Sequence, residues 1–298
     1  MAQSNPPPVR ACLFDMDGLL IDSEELYTLI TNDILREYGK PDLPWSIKAQ
    51  MQGRPGPESA LIFHNWAQLP ITHEQFMEKQ KPLQAHYFPR SQPLPGTREL
   101  LESFKRTSPR VHIALATSSH KRNFELKTTH LPDFFSVFDD DHVVLGDDPR
   151  IPKGRGKPAP DIYLLALKTI NEKLRQQGSS EIEPEECLVF EDSVPGVEAG
   201  RRAGMQVVWC PHVELLAEYK GREKEVLAGL TGEHKDDELK DGEKAAKDEE
   251  EDVSGKEKKT KSRIPGSPGE IDDGWGRLFT TLEDFPFEEY GIKVQSKI

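Results

Sequence analysis

The sequence predicts an α/β fold, a parallel sheet core with an all-helical block inserted behind its first strand. Three observations carry that reading. Short unbroken apolar runs, the first being Ala11 to Phe14, alternate with stretches of helical period, the pattern of strands buried on both faces and joined by crossover helices. Residues 23–92 show helical spacing and no strand-like run. Acids, hydroxyls and a lysine stand where the apolar runs stop, and open parallel sheets bind ligands at those carboxyl ends.

The first run ends in Asp15, Met16, Asp17 and Gly18. Extended backbone sends side chains two apart to the same side, so both carboxylates would face one space. Like charges that close need a cation or a shared proton. A calcium loop is excluded, because its glycine and glutamate positions, counted from Asp15, hold Leu20 and Leu26. An ordinary strand-to-turn junction stays open at this point.

Asp22 or Ser23 is placed to cap the next helix, with Glu25 in capping-box position behind Asp22. Leu26, Ile30 and Ile34 line one face of it until Gly39 and Pro41 stop it. Ile62, Trp66 and Leu69 mark a second helix, and Thr72 with Gln75 opens a third. Pro93, Pro95 and Gly96 mark a return, followed by a helix with Leu100, Leu101 and Phe104 inward. Strands are then predicted at 111–117, 142–146, 187–190 and 205–210. Ser118 or Ser119 would cap a helix running to His130; further helices are predicted over 158–174 and 196–203.

Hydrophobic content is 35% and charged content 31%, polar for a wholly globular chain. Much of the excess sits in residues 233–263, with 12 acidic and 9 basic side chains among 31, a local balance of −3. Such a stretch is expected to be disordered. A net charge of −13 with no basic patch outside this insert argues against nucleic acid and anionic membrane as partners. No apolar run is long enough to span a bilayer. Cys12, Cys187 and Cys210 sit in or beside apolar runs without metal-ligand spacing, as free thiols do in a reducing compartment. The start, Asn5-Pro6-Pro7-Pro8, lacks the apolar core of a signal peptide. A cytoplasmic address is expected.

Polar residues at the run ends have plain readings taken singly: Thr117 as a strand-end hydroxyl, Lys157 as a solvated lysine, Glu191 and Asp192 as turn acids. One sheet edge would nevertheless gather all of them with Asp15 and Asp17. Hard oxygen ligands suit magnesium, while a hydroxyl and an ammonium can hold phosphate oxygens and offset developing charge.

Asp15-x-Asp17-Gly18, Ala116-Thr117-Ser118-Ser119, Gly156-Lys157-Pro158-Ala159-Pro160-Asp161 and Phe190-Glu191-Asp192-Ser193 resemble the four motifs of the haloacid dehalogenase (HAD) superfamily. Lys127-Thr128-Thr129-His130, the segment 142–149 and Leu188 to Ala199 are similar to the pseudouridine-5′-phosphatases. The likeness covers 10–215 and resumes near Leu278. It implies a Rossmann-like core over 1–22 and 93–219, a helical cap over 23–92, a charged disordered insert over 220–275 and a return over 276–298. It implies Asp15 as nucleophile, forming an aspartyl-phosphate, and Asp17 as acid and then base, which asks for a pKa kept near working pH. Magnesium would bind Asp15, the Asp17 carbonyl and Asp192, with Glu191 beside or behind them. Thr117, Ser118 and Lys157 would hold phosphate, and Gly53 and Arg54 would read the substrate from the cap. Asp17 points to a phosphatase or a phosphomutase. The expected activity is a magnesium-dependent phosphomonoester hydrolase, a monomer acting on a small phosphorylated metabolite, pseudouridine 5′-phosphate. A broad sugar- or polyol-phosphate phosphatase is the alternative, and an inactive interaction protein is an alternative of another class.

Overall fold

The computed structural model describes residues 6–54, 56–232 and 266–296. Strand β1 (Ala11–Phe14) lies inside a sheet whose other strands are β2 (His112–Ala116), β3 (Val143–Val144), β4 (Cys187–Glu191), β5 (Gln206–Trp209) and β6 (Gly276–Leu278). Their order is β3-β2-β1-β4-β5-β6, and every pairing is parallel. Ala11 and Leu13 pack into one buried cluster, Cys12 and Phe14 into another. Both faces of β1 are therefore covered, which is why its sequence is apolar without alternation.

Helices α1 (Ser23–Glu37), α2 (Trp45–Met51), α3 (Gly56–Ala67) and α4 (His73–Tyr87) follow β1. They share a core of their own, with Ile34, Leu35, Phe63, Ala67 and Phe76. Helix α2 escaped the periodicity reading, since seven residues are too few to show a face. Thr72 and Gln75 form the expected capping box on α4. Asp22 does not cap α1 through its side chain. Its Oδ1 instead accepts from the Gln92 amide at 2.7 Å, and its own amide donates to the Gln92 carbonyl at 3.0 Å, tying the two ends of the helical block together.

Helices α5 (Thr97–Phe104), α6 (Lys121–Thr128), α7 (Pro132–Phe135), α8 (Asp161–Gln176) and α9 (Val194–Arg202) surround the sheet. Neither Ser118 nor Ser119 caps α6; His120 stands at that position, and Ser119 is engaged elsewhere.

The expected insert needs new limits. Helices α10 (Val213–Glu218) and α11 (Glu223–Ala228) are ordered, and Val226 and Ala228 are buried. Gly269 donates to the Ala228 carbonyl, and the Gly266 carbonyl accepts from Arg202. Both flanks of the 220–275 stretch thus pack on the core through apolar and backbone contacts that charge composition cannot reveal. Residues 233–265 lie outside the described residues. Among the described residues, no helix is long and apolar enough to cross a membrane. All three cysteines are free, with Cys12 and Cys187 buried.

Candidate active site

Parallel alignment brings the carboxyl ends of β1, β2 and β4 side by side, and the polar residues just beyond them meet there. Lys157, from the loop before α8, reaches into this edge with 1% of its surface exposed. Its Nζ donates to Asp15 Oδ1 at 2.5 Å, to Glu191 Oε1 at 2.6 Å and to the Ala116 carbonyl at 3.1 Å. The solvated-lysine reading fails because Lys157 is buried against two carboxylates and a strand-end carbonyl.

Glu191 is held on both oxygens. Tyr163 donates to Oε1 at 2.6 Å, while the Ser193 amide and hydroxyl donate to Oε2 at 3.1 and 3.0 Å. Carboxylate oxygens of Asp15, Glu191 and Asp192 lie within 4.8 Å of one another. Three carboxylates thus share one ammonium. Burial raises the Asp15 carboxyl to about 7; Lys157 opposes that rise, and Glu191 and Asp17 add to it. Burial, Glu191 and Asp15 push Asp192 well above the carboxylate range. Surplus negative charge on buried groups is costly unless a cation offsets it.

Asp17 is in a different position. Its Oδ1 accepts from Lys127 Nζ and from Ser23 Oγ at 2.5 Å; its Oδ2 accepts from Ser119 Oγ at 2.6 Å and Thr117 Oγ1 at 3.3 Å. Burial raises its pKa, but Lys127 and the hydroxyl bonds outweigh burial, so the net shift is downward. Asp17 is therefore not poised near neutrality in this arrangement, as an acid–base role led one to expect. In the sequence Lys127 stands out only within the segment Lys127-Thr128-Thr129-His130, with no role at the site attached to it. Its signal was available: it follows Phe124 by one turn of α6, on the helix's inward face.

The helical block closes over this edge. Gly53 has φ +76°, and a Cβ there would stand 2.3 Å from Ser193 Oγ, so only glycine permits the approach. Gln52 Nε2 donates to Asp192 Oδ2 at 2.5 Å. Trp45 stacks on His212 of the sheet domain with centroids 4.6 Å apart. Gly18, at φ +78°, is likewise forced, since a Cβ would lie 2.3 Å from Asp192 Oδ2. Arg54 bonds the Gln50 carbonyl at 2.5 Å and pairs with Glu58 at 3.4 Å, along its own segment. The resulting cavity of about 350 Å³ is bordered by Asp15, Asp17, Thr117, Ser118, Lys157 and Asp192 on one side, and by Gly53 and Arg54 on the other. All the expected residues except Glu191 border it; Glu191 sits behind Lys157.

The donor set fits a hard divalent cation. All its atoms are oxygens, it carries surplus negative charge, and Gln52 Oε1 beside Asp192 is buried without a partner, where a cation's water could donate to it. Because Glu191 already takes four hydrogen bonds, Asp15 and Asp192 are the residues placed to hold such an ion.

A sheet edge that gathers buried carboxylates around an ammonium, under a helical roof, is an arrangement suited to phosphoryl transfer. Comparison with known proteins is specific about the family. Residues 9–204 match the model of the haloacid dehalogenase-like hydrolases. A Saccharomyces cerevisiae protein named probable pseudouridine-5′-phosphatase is 45% identical over 226 residues, 76% of this chain and 92% of its own length. (DL)-glycerol-3-phosphatase 1 of Arabidopsis thaliana is 36% identical, covering 73% of this chain and 69% of that one. A family IA HAD hydrolase of Entamoeba histolytica shares the fold at 23% identity, with TM-score 0.55 over 75% of this chain and 91% of that one. The chain belongs to the haloacid dehalogenase-like hydrolases and is a phosphatase of that family.

Proposed function

We propose that this phosphatase is magnesium-dependent and hydrolyses pseudouridine 5′-phosphate through an aspartyl-phosphate on Asp15. The observation that carries the reading is the pairing of Asp15 with Lys157 at the floor of a cavity shared with Asp17 and Asp192. An Asp15 oxygen would form a bond to phosphorus as the bond from phosphorus to the ester oxygen breaks. The leaving oxygen would take a proton from the Asp17 carboxyl. Asp17, then a carboxylate, would take a proton from water as that water's oxygen attacks phosphorus, and the bond to Asp15 breaks to release phosphate. The four donors around Asp17 favour its anion, the form the second half needs; an incoming phosphate dianion pushes the other way, toward the acid the first half needs. Lys157 and the Thr117 and Ser118 strand end would hold the phosphoryl oxygens. A magnesium ion at Asp15, Asp192 and the Asp17 carbonyl would supply further positive charge for them. Chelation with EDTA is expected to stop turnover, and magnesium to restore it.

We take residues 23–92 as the cap domain, with 1–22, 93–219 and 276–298 as the core, to which the packed flanks 220–232 and 266–275 are added. The cavity lies at the low end of the roughly 300–1,000 Å³ of small-molecule sites, a size that suits a small metabolite. The base would lie against the cap, near Gly53 and Arg54, where a guanidinium can donate paired bonds to a carbonyl or to ribose hydroxyls. Carbon linkage leaves pseudouridine an additional ring N–H, which a site built to bond it can use to reject uridine 5′-phosphate. Free thiols, two of them buried, accord with a reducing, cytoplasmic address, and we take the protein as a monomer.

A second reading, a glycerol 3-phosphate or general polyol-phosphate phosphatase, draws on the Arabidopsis relative. Specificity constants for pseudouridine 5′-phosphate, uridine 5′-phosphate, glycerol 3-phosphate and 2-deoxyglucose 6-phosphate, taken side by side, decide between them. The narrow reading expects the first to exceed the rest. A sugar or polyol ester that equals it would leave the general phosphatase.

A further inference from the structure

Lys127 is wholly buried, yet its ammonium is strung between three polar groups. It donates to Asp17 Oδ1, to Ser119 Oγ at 2.6 Å and to Tyr27 OH at 3.3 Å. The faces of Tyr27 and Phe88 lie 5.0 and 5.3 Å from Nζ, so the charge is also held by two rings. Its carbonyl accepts from Ser91 Oγ at 2.8 Å. Tyr27 opens the helical block, while Phe88 and Ser91 close it, so this lysine sits where both stems of the block meet the sheet domain.

The consequence for Asp17 is geometric. Each of its oxygens takes two donors, Lys127 and Ser23 on Oδ1, Ser119 and Thr117 on Oδ2. A carboxylate held on both oxygens cannot rotate about its Cβ–Cγ bond without breaking charge-assisted bonds. Lys127 contributes twice, directly to Oδ1 and by fixing the Ser119 hydroxyl that serves Oδ2.

We propose that Lys127 is a positioning residue that aims the Asp17 carboxyl at the ester oxygen. This rests on the reading of Asp17 as the proton donor. Loss of an aimed donor harms esters in proportion to their need for a proton. An alkoxide leaves poorly unprotonated, whereas 4-nitrophenolate leaves without help. A merely structural lysine would lower both rates by a common factor.

The test compares 4-nitrophenyl phosphate with the alkyl phosphate the wild type hydrolyses best, in Lys127→Gln, Tyr27→Phe and Asp17→Asn. In Lys127→Gln, the ratio of kcat/KM for the aryl over the alkyl ester is expected to rise about 10- to 100-fold, part of the ~10²–10⁴ that an acid–base group supplies. Tyr27→Phe, which removes one hydrogen bond of the lysine and keeps the ring that borders the cavity, is expected to raise it by about threefold. Lys127→Arg, which keeps the charge and donors, should return part of the ratio toward wild type. An unchanged ratio in folded Lys127→Gln overturns the proposal; if that variant does not fold, an unchanged ratio in Tyr27→Phe does so. Asp17→Asn separates the two levels. If it leaves the ratio unchanged, the proton-donor reading is wrong and the proposal falls with it. If it raises the ratio while the Lys127 variants do not, Asp17 keeps its role and Lys127 loses the one assigned here.

Discussion

Two buried lysines lie within one site and hold their carboxylates in opposite ways. Lys157 is shared by Asp15 and Glu191, with Asp192 beside them, so negative charge exceeds positive. Lys127 forms its ion pair with Asp17, helped by hydroxyls that carry no charge. Both lysines are buried, and desolvation raises both carboxyls, so burial alone does not set their opposite shifts. Charge count does. Asp15 is raised to about 7 while Asp17 is lowered, although both belong to the same Asp-x-Asp pair. The lesson is that the first cluster carries surplus negative charge that a cation could offset, whereas the second is already balanced by its lysine.

The largest effect should come from Asp15→Asn. An amide neither attacks phosphorus nor provides an anionic cation ligand, so turnover should fall by more than about 10⁴-fold with the fold retained. Steady-state rates, with circular dichroism to verify folding, measure it. Preserved turnover in the folded variant would contradict an aspartyl-phosphate route.

Next come the lysines themselves. Replacing either with methionine strands buried anions, and breaking a buried pair costs roughly 3–5 kcal/mol. The contrast lies in rescue. Magnesium should recover much of the lost melting temperature in Lys157→Met, because the ion enters the cluster that lost its charge. It should recover little in Lys127→Met. Equal rescue in thermal denaturation would erase the distinction between the clusters.

A smaller effect is expected in the pH dependence of the metal-free protein. Between the ordinary 3.8 and about 7, folded Asp15 keeps a proton that the unfolded chain has released. Its contribution therefore makes stability fall as pH rises through that window. Asp17 has the opposite sign: its lowered pKa adds stability above its ordinary range, lost as pH falls through the folded value. Asp15→Asn should remove the falling limb, a gain on the order of 2–4 kcal/mol at pH 8 that shrinks toward pH 4. Urea unfolding at the two pH values reads it, and a loss at pH 8 would mean that Asp15 is not the strained acid.

The smallest effect is expected from replacing residues 233–265 by a short flexible linker. That stretch has little apolar surface to bury, so stability should change by less than about 1 kcal/mol, and magnesium affinity in calorimetry should not move. A changed affinity would mean that its acids act on the site after all.

Much of this was legible in the chain. Unbroken apolar runs declared strands covered on both faces, and alternation with helices declared their parallel order. Asp15, Asp17, Thr117, Lys157, Glu191 and Asp192 could be named because each stands at the end of a run or the start of a helix, where topology alone dictates proximity. Thr72 and Gln75 announced their cap because a capping box is a local bond pattern. What tertiary structure decided was pairing across long separations. Lys127 is 110 positions from Asp17, Gln52 is 140 from Asp192, and Asp22 is 70 from Gln92. No local periodicity encodes such partners. The division of labour between the two acids was likewise out of reach, because a pKa depends on which ammonium and how many carboxylates burial brings together. Sequence determines which groups reach the sheet edge, whereas packing determines which charges they face there.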